Sequence, residues 1–195
     1  MTDNLYAPPK SDPGSYAETS ANGGFYVVSP KKFAVLFFAT LGAYQLYWFF
    51  RNWKAYRANS GESVWPVPRA FFSIFFTHSL MRKVHAQLSR VSPSWSDDPR
   101  KLATPIVILT IVSMLISNKN TDSVYSDLLT LVFLLPQYLL FSRAQAAINT
   151  ASGDAEGHTN SRFSVANYIW IVLGALLWAL YAWAMVESYL GKAAG

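Results

Sequence analysis

Phe33-Ala34-Val35-Leu36-Phe37-Phe38-Ala39-Thr40-Leu41-Gly42-Ala43-Tyr44-Gln45-Leu46-Tyr47-Trp48-Phe49-Phe50 is a run of eighteen residues without a formal charge. Lys31 and Lys32 precede it, and Arg51, Lys54 and Arg57 follow. A hydrocarbon layer of about 30 Å takes roughly 20 helical residues at about 1.5 Å each. Further apolar runs lie at 102–117, 125–141 and 167–190. One such run suits the core helix of a soluble domain; four in 195 residues predict an all-α integral membrane bundle. The expectation is about four transmembrane helices, near 33–50, 102–117, 125–141 and 167–190, within a membrane domain over 29–190.

The composition agrees. The chain is 52% hydrophobic and 14% charged, against about 25% charged in a typical soluble domain. Seven Trp and eleven Tyr supply amphipathic rings that favour a membrane–water boundary. The net charge of +5 reads as the Lys/Arg excess of cytoplasmic loops. The basic residues are scattered among apolar runs without a nucleic-acid-binding motif, so no nucleic-acid partner is expected. With no cysteine, disulfides and thiolate metal sites are excluded. No P-loop, HExxH or G-x-S-x-G motif occurs. No cofactor and no metal is expected, and the reading is non-enzymatic.

Residues 1–28 read as a polar N-terminal tail, Pro- and Gly-rich and disordered over 1–24, with Phe25-Tyr26-Val27-Val28 a short β-prone or interfacial piece. Pro30 falls where a helix start tolerates it. Thr40-Leu41-Gly42 is a soft point in the first run. It belongs either to an ordinary helix ending in an aromatic belt or to a break at Gly42 that makes a re-entrant hairpin. Gly42 would then let another backbone approach closely.

Residues 51–101 hold nine Lys/Arg against three acids. Within them, 66–90 predicts an interfacial or re-entrant amphipathic helix: apolar at 70–77, then Leu80, Met81, Val84 and Leu88 opposite Arg82, His85, Ser89 and Arg90. This basic, Trp-bearing segment is the candidate grip on anionic lipid headgroups, through Arg51, Trp53, Lys54, Arg57, Arg69, Arg82 and Lys83. The alternative is topology anchoring alone. His78, Arg82 and His85 share a helical face. The two imidazoles would stand about 10 Å apart along the axis, too far for one ion.

Ser117–Ser123 reads as a short polar connection between antiparallel neighbours. In the next run Asp127 sits in the first turn, Pro136 predicts a kink, and Gln137 can hydrogen-bond across the bundle. Gln45, Gln137 and Tyr138 are the candidate polar groups within the membrane. Residues 142–160 predict a helical extension through Ala147 or Ile148, then a flexible loop. The last run places Ala175, Ala179 and Ala182 at a spacing that permits close helix packing. Residues 191–195 read as a C-terminal tail.

Two arrangements survive. Four spans with the N-terminus outside put 11 of 16 Lys/Arg in the cytoplasm; a crossing at 70–81 with the N-terminus inside puts 10 there, and a hairpin at the first run also leaves the N-terminus inside. The count does not choose between the first two.

Ser29-Pro30-Lys31-Lys32, followed by Thr40-Leu41-Gly42-Ala43-Tyr44-Gln45-Leu46-Tyr47-Trp48 and the basic stretch to Lys54, resembles a family of small bacterial multi-pass membrane proteins of unknown function. Their signature is a Lys-led apolar run, then T-x-G-x-Y-x-x-Y-W. Ala43 departs from the commoner Leu or Ile. Ala147-Ile148-Asn149 and Asn160 to Asn167 are similar to further parts of that pattern. The resemblance implies a bacterial cytoplasmic membrane and no assigned chemistry. The expected role is an accessory or interaction protein that contacts anionic lipid and packs with another membrane protein or itself. A small transporter or channel subunit is the alternative.

Overall fold

The computed structural model describes residues 24–117 and 124–193. Residues 1–23 of the disordered tail expected over 1–24, the polar connection at 118–123 and the last two residues lie outside the described residues. Among those described, the regular structure is helical: α1 (Pro30–Ala39), α2 (Tyr44–Ser60), α3 (Pro66–Phe71), α4 (Ser73–Val91), α5 (Arg100–Ser117), α6 (Val124–Ala151) and α7 (Val165–Ala193), with one 3₁₀ turn at His158–Asn160.

The first apolar run is not one helix. Ser29 caps α1 through a hydrogen bond from the Lys32 amide to its Oγ (3.3 Å), with Pro30 in the first turn. The helix then stops after ten residues. Leu41 (φ +52°) and Gly42 (φ +83°) both take left-handed backbone, a conformation natural to glycine and costly for leucine. The Gly42 amide donates back to Phe37 O at 2.8 Å, closing the helix end. Thr40 serves both sides of the break. Its hydroxyl donates to Leu36 O (2.8 Å) and accepts from the Tyr44 amide (2.9 Å), which opens α2. Tyr44 then lies beside Phe33, ring centroids 5.7 Å apart, whereas eleven residues of continuous helix would separate them by about 16 Å. The expected single span over 33–50 is therefore corrected to a hairpin of two helices. α1 is about 15 Å long, half the thickness of a hydrocarbon layer.

The helix expected over 66–90 is also divided, into α3 and α4, at Phe72 (φ −96°, ψ 39°). The amphipathic pattern of α4 holds: Leu80, Met81, Val84 and Leu88 are buried while Arg82, Ser89 and Arg90 are exposed. α4, α5 and α6 pack together, α2 packs mainly on α3, and α1 lies against α6 and α7. α6 runs unbroken through Pro136 and ends at Ala151, several residues beyond the expected extension. α7 continues to Ala193, so most of the expected C-terminal tail is helical.

Two helices, Leu131–Ala151 and Val165–Glu187, are long and apolar enough to cross a membrane by length and composition. Only 6% of the second window is buried against the rest of the chain. Val172, Leu176, Leu180, Trp183 and Val186 are among the large apolar side chains it leaves exposed.

Candidate functional site

Phe25–Ser29 is where the chain's polar chemistry converges. The expectation of a tail through residue 28 is corrected here: Phe25, Tyr26, Val27 and Val28 are at most 5% exposed. The segment belongs to no helix and has no strand beside it among the described residues, so its backbone groups need other partners. Side-chain amides supply them. Asn52 Oδ1 accepts from the Tyr26 amide (3.2 Å), and Gln145 Nε2 donates to Tyr26 O (3.0 Å). Asn149 pairs with Val28 on both sides, accepting from its N–H (3.2 Å) and donating to its C=O (2.9 Å). Asn160 Nδ2 donates to Val27 O (2.8 Å), and the Ser29 amide donates to Asn160 O (3.3 Å). Asn52, Gln145 and Asn149 are almost fully buried. Together these residues form an amide clasp around a non-helical strap.

The clasp explains several residues that looked like separate features. Trp48 is wholly buried, and its indole N–H donates to Gln145 Oε1. The buried Lys32 ammonium donates to Asn160 Oδ1 and to Arg162 O (2.7 Å). Gly157 lies under the strap with φ +68°; a Cβ there would stand 2.6 Å from the Ser29 backbone. Several residues of the first run act in the reversal or beside the clasp. Thr40 and Gly42 make the turn, Tyr44 shares a hydrogen bond between hydroxyls with Tyr26 (3.2 Å), and Tyr47 accepts from Arg51 Nη1 (2.6 Å). Sequence reading missed Asn52, Gln145 and Asn160 as a set. Gln145 stood out between alanines and Asn52 beside Trp53, whereas Asn160 lies in a polar loop and gave no signal.

The proposed polar intramembrane group is brought together. Gln137 Nε2 donates to Gln45 Oε1 (3.1 Å), linking α6 to the start of α2. Gly42 sits against this pair: a Cβ there would lie 3.8 Å from Gln137 Oε1 and 3.2 Å from Leu134 Cδ1. Tyr138 packs on Phe33, Phe37 and Phe38. Ala175, Ala179 and Ala182 are exposed. The close helix approach is made one residue earlier, by Gly174, where a Cβ would stand 2.0 Å from Ala39 O. Trp178 Nε1 then donates to Phe38 O (2.8 Å).

The basic candidates divide into three kinds. Lys54, Arg57 and Arg82 are exposed. Arg51 and Arg69 lie over rings, 4.6 Å from the Tyr26 centroid and 4.4 Å from the Trp53 centroid. Lys83 bonds Glu62 (2.9 Å) and Tyr56 (2.7 Å). Trp53 is wholly buried, so its assignment to a lipid-facing surface is corrected: it is a core residue on which Arg69 rests. The Glu62 carboxyl is held below its usual range by Tyr56 and Lys83.

His78 and His85 turn to different partners. His78 Nε2 meets Thr104 Oγ1 (3.1 Å), and His85 Nδ1 lies 3.3 Å from Asp98 Oδ1. The loop after α4 thus brings an acid to a face that has none in sequence. Arg100 grips Asp98 through two nitrogens and holds its carboxyl down to about 2. Asp154 binds the His158 and Thr159 amides in a local turn. Among the described residues no three His, Asp or Glu are grouped as a metal would need. Compared with family models, curated proteins and solved structures, the chain matches none.

Proposed function

We propose that the chain is a non-enzymatic accessory protein of the bacterial cytoplasmic membrane. It crosses three times, at α5, at α6 as far as Phe141, and at α7. The α1–α2 hairpin dips into the cytoplasmic leaflet, and α3 lies at its surface. The bacterial setting rests on the resemblance alone. Membrane insertion is supported by the bare apolar sides of α7, joined by Ile108, Ile111 and Leu115 of α5 and Val132, Leu135 and Leu139 of α6. A surface this extended and apolar is unstable in water and calls for lipid or a partner.

One observation carries the sidedness. With the first run folded as a hairpin, the N-terminus lies on the same side as 51–101 and 142–164. Fourteen of the sixteen Lys/Arg then fall on that side, leaving Lys119 and Lys192 opposite. This is a far stronger positive-inside bias than either crossing arrangement gives. The exposed Lys54, Arg57 and Arg82 would then face anionic headgroups.

The test is single-cysteine labelling in the naturally cysteine-free chain. Ser11→Cys should resist an impermeant maleimide in intact cells, and Lys119→Cys should react. Reaction of Ser11→Cys in intact cells would sink the arrangement. For the accessory role, native mass spectrometry of gently extracted protein should give a defined complex or homo-oligomer carrying anionic lipid; a bare monomer would overturn it. The transporter or channel alternative would use Gln45, Gln137, Tyr138 and a kink at Pro136; Gln45 and Gln137 bond to one another.

A further inference from the structure

Between α2, α3 and the first half of α7 lies a cavity of about 510 Å³, a size typical of small-ligand sites. Its walls are largely apolar, built by Leu36, Leu46, Phe50, Phe71, Leu173 and Leu177. Apart from Thr40, its polar side chains gather towards one end. The Tyr26 and Tyr44 hydroxyls bond there, the Tyr47 hydroxyl accepts from Arg51, and Ser164 and Asn167 stand at the start of α7. The Arg51 guanidinium sits just outside this end, over the Tyr26 ring. Along α7 the lining runs from Ala166 to Leu177, eleven residues or about 16 Å. That is close to half of a hydrocarbon layer of about 30 Å, the depth of one leaflet. At its deep end Gly174 closes on Ala39.

An apolar slot one leaflet deep, with aromatic hydroxyls and a cation at its mouth, has the polarity of a single anionic amphiphile. We propose that this cavity holds one acyl chain of an anionic phospholipid of the cytoplasmic leaflet, its phosphate at Arg51 and Tyr47. The inference rests on the membrane reading above and makes it specific. An exposed basic surface takes headgroups in no fixed number, whereas this slot takes one lipid.

The test is native mass spectrometry of the delipidated full chain in detergent. It is offered equal amounts of a phosphatidylglycerol, a phosphatidylcholine with the same chains, and palmitate. One phosphatidylglycerol should be retained per chain, preferred over phosphatidylcholine about fivefold, as one basic residue beside an anionic headgroup gives. Ala166→Trp, at an exposed position lining the cavity, should lose most of the bound lipid, and Leu177→Trp should do the same from the far end. Arg51→Gln should bring the two phospholipids to parity, while Arg51→Lys keeps the preference. Undiminished retention in both tryptophan variants, equal retention of the two phospholipids by the native chain, or retention of palmitate in place of phosphatidylglycerol would each overturn the proposal. A chain that keeps its labelling pattern yet retains no lipid overturns the cavity alone; a lost labelling pattern overturns the membrane reading.

Discussion

The strap at Phe25–Ser29 and the helix α7 are both rich in large apolar residues, yet the first is almost wholly buried and the second almost wholly exposed. The strap is held by directional bonds from Asn52, Gln145, Asn149 and Asn160. α7 satisfies its own backbone internally and touches α1 chiefly at Gly174 and Trp178. A non-helical segment buried away from water must find a partner for every polar backbone group; a helix carries its partners with it. The first region therefore depends on the rest of the chain and the second on its surroundings.

Removing the clasp should cost most. Asn149→Leu keeps the volume but strands the Val28 N–H and C=O and a Gln145 donor. At about 1–3 kcal/mol for each buried group left unsatisfied, stability in detergent should fall by about 3–5 kcal/mol. A fall under about 1 kcal/mol, read from thermal unfolding, would break the contrast. Gly174→Val should overpack the α1–α7 crossing and cost about 1–3 kcal/mol. Its loss should grow when the protein is moved from lipid into detergent, while that of Asn149→Leu stays constant. Equal behaviour of the two variants would erase the distinction. Gln137→Leu removes one bond between helices and should cost about 1 kcal/mol.

The smallest effect is electrostatic and lies in the loop before α5. Arg100 depresses the Asp98 carboxyl from 3.8 to about 2. A depressed carboxylate stabilises the fold above its ordinary value and loses that contribution as pH falls through its folded value. Asp98→Asn should therefore lower stability modestly at neutral pH and flatten the profile between pH 3.8 and about 2, the two chains converging at the acid end. An unaltered acid limb would show the pair to be inert.

The helical class and the amphipathic α4 were legible because periodicity and composition act locally. The pairing of His85 with Asp98 was not, since a loop brings the acid to the imidazole. Trp53 carried the marks of a boundary residue, with basic neighbours on either side, but its ring fills the core beneath Arg69. The alanine spacing in α7 offered a plausible packing line, and the neighbouring glycine made the contact because only it lets Ala39 O approach.

By itself the sequence determined that apolar helical segments dominate the chain and that basic residues crowd between them. Those facts follow from side-chain chemistry and helical period alone. Only the tertiary structure decided that Leu41 and Gly42 reverse the first run, and that Phe25–Ser29 is an interior strap. The choice between a continuous helix and a hairpin turns on a few kcal/mol of backbone strain. Contacts more than a hundred residues away, from Asn149 to Val28 and from Asn160 to Val27, help to offset that cost.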